Sequence, residues 1–289
     1  MTILDIDGHQ LWYETHGEGP PALAMGGWGT FCHGGLGAVP REVRTTREVI
    51  VFDYPGVGQS SAGSDRDSTT MRLAQDAIAL LDHLRVAAID IVGLVGLGAC
   101  VGQQIAIHRP DLVRSLVMTG TWAQPDPTFT DQIDGLRRAH LEAGFETFQL
   151  LVASFSFTAE FYNANRDRLL GPDGAWGDLD GRADAHSRLV DACLSHDVLA
   201  ELETVTCPTL IVHAGRDMIT RTDMTQVIER AMPNARGIMW PEISHVIAGR
   251  EQKMQFDAML NRFYAAVDDG THTPTTPAQS SLPDTKDPR

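Results

Sequence analysis

Residues 88–120 read AIDIVGLVGLGACVGQQIAIHRPDLVRSLVMTG, and this stretch decides the architecture. Ala88–Val95 is a short run that is apolar except for Asp90, the pattern of a strand buried on both faces. A glycine-rich turn follows, and GACVGQQIAIH begins a helix that closes near His108-Arg109-Pro110. Leu112–Gly120 is the next buried strand. Continuous apolar strands alternating with helices predict a parallel sheet covered on both sides, an α/β fold.

Working outward, the same alternation holds on both flanks. TILDID, Gly8 and HQLWYETHG predict an antiparallel hairpin at the start. PALAM (Pro21–Met25) is a short strand running into a glycine-rich loop, and EVIVFDYPG (Glu48–Gly56) is a strand ending in a tight turn. Ser68, Thr69 and Thr70 open a helix whose apolar positions Met71, Leu73, Ala77, Leu80, Leu81 and Leu84 keep helical spacing. CPTLIVHAG and Arg236–Trp240 supply two late strands, and a helix spans Glu251–Val267. Between Trp122 and Thr204 the strand pattern stops and gives way to helical, aromatic-rich sequence. The predicted organisation is therefore a core over 1–122 and 205–267 and a helical lid over 123–204. A Pro/Ser/Thr/Asp-rich tail over 268–289 is expected to be disordered.

Composition narrows the function classes. Hydrophobic residues at 43% and charged residues at 21% suit a soluble globular chain of 289 residues. A net charge of −15 argues against nucleic acid or an anionic membrane as partner. The four cysteines, Cys32, Cys100, Cys193 and Cys207, form no C-x-x-C pair, so neither a disulfide framework nor a zinc site is expected. No signal peptide or membrane-length apolar run is visible. A cytoplasmic location is expected, and a homo-oligomer is compatible with these features.

Four landmarks carry chemistry, in a fixed order. Met25-Gly26-Gly27-Trp28-Gly29 follows the early strand, and Asp53-Tyr54-Pro55-Gly56-Val57-Gly58-Gln59-Ser60 follows the next. LIVHAGRDMIT carries Asp217, and WPEISH carries His245. Together they resemble the α/β hydrolases over nearly the whole chain to about residue 267. That resemblance implies a mostly parallel sheet with helices on both faces and a helical lid. It also implies Asp217 as the acid that orients His245, the catalytic base, with Asp53 shaping its turn.

The fifth landmark of that family, the nucleophile elbow G-x-S-x-G, is altered. Counting back from the helix, the nucleophile position falls on Gly96; counting forward from the strand, it falls on Val95. Neither residue can form a covalent intermediate. Cys100 lies one helical turn further on and is expected to be buried, and Cys32 is expected to pack or to lie at the surface. The oxyanion site is built from backbone, so it survives: the resemblance assigns its donors to Leu97 and to Gly27 or Trp28.

A base facing an oxyanion site without a nucleophile predicts cofactor-independent, non-covalent chemistry. The resemblance implies the type, since members of that family that dispense with covalent catalysis include cofactor-free dioxygenases, lyases and decarboxylases. The leading expectation is a reaction of that sort on a small aromatic or polyketide-like carbonyl compound. One alternative is a hydrolase in which His245 activates water against an ester or lactone. Another is a non-catalytic protein that binds a small molecule in the old pocket. Expected substrate contacts are Trp122, Phe155, Phe157, Phe161 and Trp176, and no cofactor or metal is expected.

Overall fold

The computed structural model describes residues 2–28, 36–63 and 68–275. At its centre the described residues form an eight-stranded sheet: β1 (Thr2–Ile6), β2 (His9–His16), β3 (Pro21–Met25), β4 (Glu48–Phe52), β5 (Ile89–Gly93), β6 (Val113–Thr119), β7 (Thr209–Ala214) and β8 (Ala235–Trp240). The spatial order is β1-β2-β4-β3-β5-β6-β7-β8. β2 pairs antiparallel with β1 and β4, and every other pairing is parallel.

The apolar runs are continuous because alternate residues serve two different layers. Leu23, Ile91, Leu116 and Ile211 pack in one buried cluster with Leu73 and Leu80 of α2 (Thr70–His83) and Val101 of α3 (Leu97–His108). Their neighbours Ala22, Val92, Val117 and Val212 pack in the other. There they meet Val43 of α1 (Arg41–Thr46) and Phe256, Leu260 and Phe263 of α9 (Arg250–Asp268). Period 2 in the strands thus meets period 3.6 in the helices on both faces. The Thr69 hydroxyl accepts the Arg72 N–H at 3.1 Å and starts α2 where the Ser/Thr cluster predicted it.

From β3 the chain passes to β4 on one side and then returns past β3 to β5 on the other. A crevice forms at the carboxyl ends of the strands at such a switch point. Between β6 and β7 the chain makes helices: α4 (Pro127–Ala143), α5 (Phe145–Ser156), α6 (Ala159–Leu169) and α7 (Ala183–Leu194). Ile133 of α4, Val152 of α5 and Cys193 of α7 face this carboxyl end. α8 (Thr222–Ala231) connects β7 to β8.

Two local expectations need correction, and one element has no counterpart among them. β5 ends at Gly93, not Val95, because Val95 adopts φ +54° and leaves the extended ladder. α1 is too short to show a periodicity and was not expected. The tail expected to be disordered from residue 268 begins with residues 269–275, which form no helix or strand but are held in place. The Thr275 N–H donates to the Ala235 carbonyl at 3.0 Å, and His272 packs edge-on against Phe263. Residues 276–289 lie outside the described residues.

Candidate active site

The elbow is built by two consecutive residues of left-handed backbone. Val95 has φ +54° and Gly96 has φ +82°. Their N–H groups donate to Thr119 at the end of β6, Val95 to the hydroxyl at 3.2 Å and Gly96 to the carbonyl at 3.3 Å. The helix then starts at Leu97, with Ala99 and Cys100 N–H both donating to the Gly96 carbonyl. The forward and backward counts disagree because two residues, not one, reverse the chain between β5 and α3. A β-branched residue at positive φ is costly, on the order of 1–3 kcal/mol, and such strain concentrates at functional turns.

The position after the strand is also filled from outside. A Cβ at Gly96 would lie 3.2 Å from Trp122 Cζ3 and 3.3 Å from the Gly120 carbonyl. The Trp122 ring therefore covers the place where a nucleophilic side chain would project. Gly98 is tied just as tightly, since a Cβ there would run into the Met25 carbonyl. This close approach sets α3 against β3.

His245 and Asp217 meet as a buried pair. His245 Nδ1 donates to Asp217 Oδ2 at 2.9 Å. Asp217 also accepts from the Ile219 and Thr220 N–H groups, both at 2.8 Å, and from Thr220 Oγ1 at 2.6 Å. Thr220 Oγ1 in turn lies 3.2 Å from His245 Nδ1. An acceptor so fully engaged holds the neutral imidazole in the tautomer with Nδ1–H, which leaves the Nε2 lone pair free. Gly120 sets the ring's depth, because a Cβ there would fall 2.9 Å from His245 Cε1.

His245 shares a cavity of about 30 Å3 with Gly27, Trp28, Val95, Gly96, Leu97, Trp122 and Trp176. Ile133, Val152, Cys193 and Ile219 complete its walls. The N–H groups of Gly27, Trp28 and Leu97 have no acceptor among the described residues. Val95 and Trp176 also line an outer cleft of about 480 Å3, with Phe157, Val246 and residues 172–178. Of the expected aromatic contacts, Trp122 and Trp176 reach the cavity, and Phe157 reaches the cleft. Phe155 and Phe161 do not: Phe155 packs against the core, and Phe161 stacks on Phe157 at 5.3 Å. Helical spacing shows which residues share a face, but not which face meets the strand ends.

Sequence reasoning missed Thr220 and Cys193. Thr220 lies three residues past Asp217, and that spacing was the one available signal. Cys193 reaches the cavity only through the packing of α7. It accepts from Trp28 Nε1 at 3.4 Å, and burial pushes its thiol up to about 12, so the reactive thiolate is absent. Cys100 is wholly buried beside Thr121 and Trp122, and its thiol is raised further still by that burial. Cys32 lies outside the described residues. Asp53 accepts the Gln59 N–H at 2.7 Å, which orders its turn. Among the described residues no cluster of three His, Cys, Asp or Glu side chains is arranged to hold a metal ion. None of the helices described is long and apolar enough to cross a membrane.

Known proteins agree with this geometry at the level of fold. The chain is 28% identical over 235 residues to a Pseudomonas savastanoi pv. phaseolicola protein named "Putative carbamate hydrolase RutD", covering 80% of this chain and 88% of the relative. A Caulobacter vibrioides protein of the same name is 29% identical over 246 residues, 81% of this chain and 87% of its own. Among solved structures, the hydrolase MGS-M2 from a Medee basin deep-sea metagenome superposes with a TM-score of 0.80 at 21% identity, covering 91% of this chain and 97% of that one. The enol-lactonase of Burkholderia xenovorans LB400 gives 0.77 at 18% identity, covering 91% of this chain and all of its own. The family model described as "alpha/beta hydrolase fold" matches residues 30–248. With a match across most of the sheet, the helices between β6 and β7 and the His245–Asp217 pair, the chain belongs to the α/β hydrolase fold family.

Proposed function

We propose that this protein is a hydrolase of small acyl compounds (an ester, lactone or carbamate) in which His245 activates water directly and no acyl-enzyme forms. The observation that carries the reading is the bond from His245 Nδ1 to Asp217 beside a cavity large enough for water and lined by Val95 and Gly96. Hydrolases among the relatives favour this reaction over the dioxygenase, lyase or decarboxylase chemistry expected first.

The step balances with the residues present. Nε2 takes a proton from water while the water oxygen bonds to the acyl carbon, and the carbonyl electron pair moves onto its oxygen. The resulting oxyanion accepts from Leu97 N–H and from Gly27 or Trp28 N–H. Collapse re-forms the carbonyl and breaks the bond to the leaving group, which takes the proton back from Nε2. Asp217 holds the imidazole in place and stabilises the imidazolium through its bond to Nδ1. The body of the substrate occupies the outer cleft, which shares Val95 and Trp176 with the cavity beside His245. Helices α4–α7 act as the lid that keeps bulk water from the reacting groups.

One observation favours a second reading, base-driven proton abstraction from a carbonyl compound. The walls around His245 are almost entirely apolar, with Leu97, Trp122, Ile133, Val152 and Ile219. Such surroundings suit removal of a carbon-bound proton as well as activation of water.

The test uses p-nitrophenyl acetate, a γ-lactone and an aryl carbamate with the intact protein. Hydrolysis of at least one is expected, falling by about 10²–10⁴-fold in His245→Ala at unchanged thermal stability. A fluorophosphonate probe should leave the protein unlabelled, and its intact mass should not change during turnover. A covalent adduct would sink the direct-water mechanism. No hydrolysis, combined with His245-dependent deuterium exchange into a 1,3-dicarbonyl, would favour the second reading. Neither activity would leave a binding protein.

A further inference from the structure

A second cavity, of about 400 Å3, lies on the other side of the elbow, between α1 and the first turns of α9. Its size is that of a small-molecule site. Its walls combine apolar groups, among them Val39, Leu94, Val246, Ile247 and Phe256, with four cations, Arg41, Arg44, Arg250 and Lys253. Arg250, Lys253, Met254 and Asp257 fall on one face of α9 at helical spacing, and Arg41 and Arg44 on one face of α1.

The charge arrangement is unusual for this molecule. The chain carries a net −15, and its other arginines commonly sit on carboxylates: Arg47 on Asp90, Arg109 on Asp111, Arg137 on Asp191, Arg221 on Asp223. None of the four cavity cations has an ion pair or side-chain hydrogen bond to another described residue. The one carboxylate in the wall, Asp257, accepts the Glu42 N–H at 3.0 Å. The Glu42 side chain accepts from Asn261 on the next turn of α9. Four like charges gathered round a concave, partly apolar space repel one another and focus a positive potential there. The N-terminal dipole of α9 adds to it.

We propose that this cavity is a binding site for an amphiphilic organic anion, an apolar body ending in a carboxylate or a phosphate. The apolar walls take the body, and the cations Arg41, Arg44, Arg250 and Lys253 take the anionic end. The site does not contain His245; it shares Val95 with the cavity beside that residue and Val95 and Val246 with the outer cleft, and its ligand is argued without the reaction proposed above.

The test measures binding by calorimetry to the full chain, with octanoate and octyl phosphate as probes and octanol and inorganic phosphate as controls. At least one anionic amphiphile should bind with an affinity that falls as salt rises, and the tighter of the two identifies the head group. Arg250→Gln combined with Lys253→Gln should weaken that binding by at least about tenfold. Met254→Glu adds a negative charge at the exposed rim without removing a cation, and should weaken it as well. His245→Ala should leave it unchanged. Octanol binding as tightly as the anions, or phosphate alone binding as tightly as octyl phosphate, would overturn the amphiphilic-anion site. Unaltered affinity in the double variant and in Met254→Glu, or binding lost in His245→Ala, would place the ligand elsewhere and overturn it too.

Discussion

Gly120 illustrates how little room the candidate site allows at single residues. It sits at φ +57°, and the face where a side chain would project is occupied by the His245 ring. Gly120→Ala must push the imidazole off Asp217 or strain the backbone. A shift of about 1 Å at a positioned group can cost about 10²-fold in rate. We expect hydrolysis by Gly120→Ala to fall by about that factor, with a stability loss of about 1–3 kcal/mol from the left-handed alanine. Activity assays beside urea unfolding check both, and wild-type activity in Gly120→Ala would mean the ring position is not critical. Gly120 precedes a residue the sequence did single out, Trp122, but nothing in the chain marks it as the floor beneath a histidine 125 positions later.

At the scale of elements, the helices between β6 and β7 carry buried histidines as well as apolar residues. His186 on α7 lies among Trp28, Phe148 and His140, with its Nδ1 3.0 Å from His140 Nδ1. Burial pushes the His186 imidazole down to about 3, and His196 after the same helix down to about 4. Both are neutral in the folded protein at pH values where the unfolded chain, near 6.5, has taken up protons. Their contribution to stability is therefore complete above about 6.5 and declines as pH falls towards 4 and 3. His186→Phe keeps the ring packing and removes one titrating group. The fall in unfolding free energy below pH 6 should lose about 1.4 kcal/mol per pH unit of its slope. Urea midpoints at pH 7, 5.5 and 4.5 measure this. Parallel wild-type and variant curves would show that His186 is not the group responsible.

The whole molecule is polarised along its strands. The candidate site gathers at the carboxyl ends, whereas the amino ends are tied by a buried charge network around Asp90. Asp90 accepts from Arg47 Nε at 2.8 Å, Arg114 Nε at 2.9 Å and Ser115 Oγ at 2.7 Å. The Arg47 guanidinium lies 4.3 Å over the Tyr264 ring of α9. β4, β5, β6 and α9 are thereby joined at one point remote from His245. Asp90→Ala leaves the nearly inaccessible Arg47 with only the longer contact to Asp268, at 3.8 Å, and breaking a buried pair typically costs about 3–5 kcal/mol. Denaturant unfolding should show that loss, with kcat unchanged in protein that remains folded. A smaller change than about 1 kcal/mol would mean Arg47 finds another partner.

What the sequence by itself determined is the alternation of strand and helix, the order of the landmarks and the pairing of Asp217 with His245. The alternation follows from local patterns, period 2 against 3.6 and turn residues at strand ends, whereas the pairing of Asp217 with His245, on two different loops, follows from the resemblance of the ordered landmarks to the family. Even the anomaly at the elbow was legible as two counts that would not agree. Only the tertiary structure decided that both Val95 and Gly96 lie at positive φ, that Trp122 covers Gly96, and that Cys193 rather than Cys100 reaches the cavity. It alone brought Arg41 and Arg44 of one helix beside Arg250 and Lys253 of another. Such meetings depend on which faces of distant elements pack together, and packing is set by the whole core, not by any window of the chain.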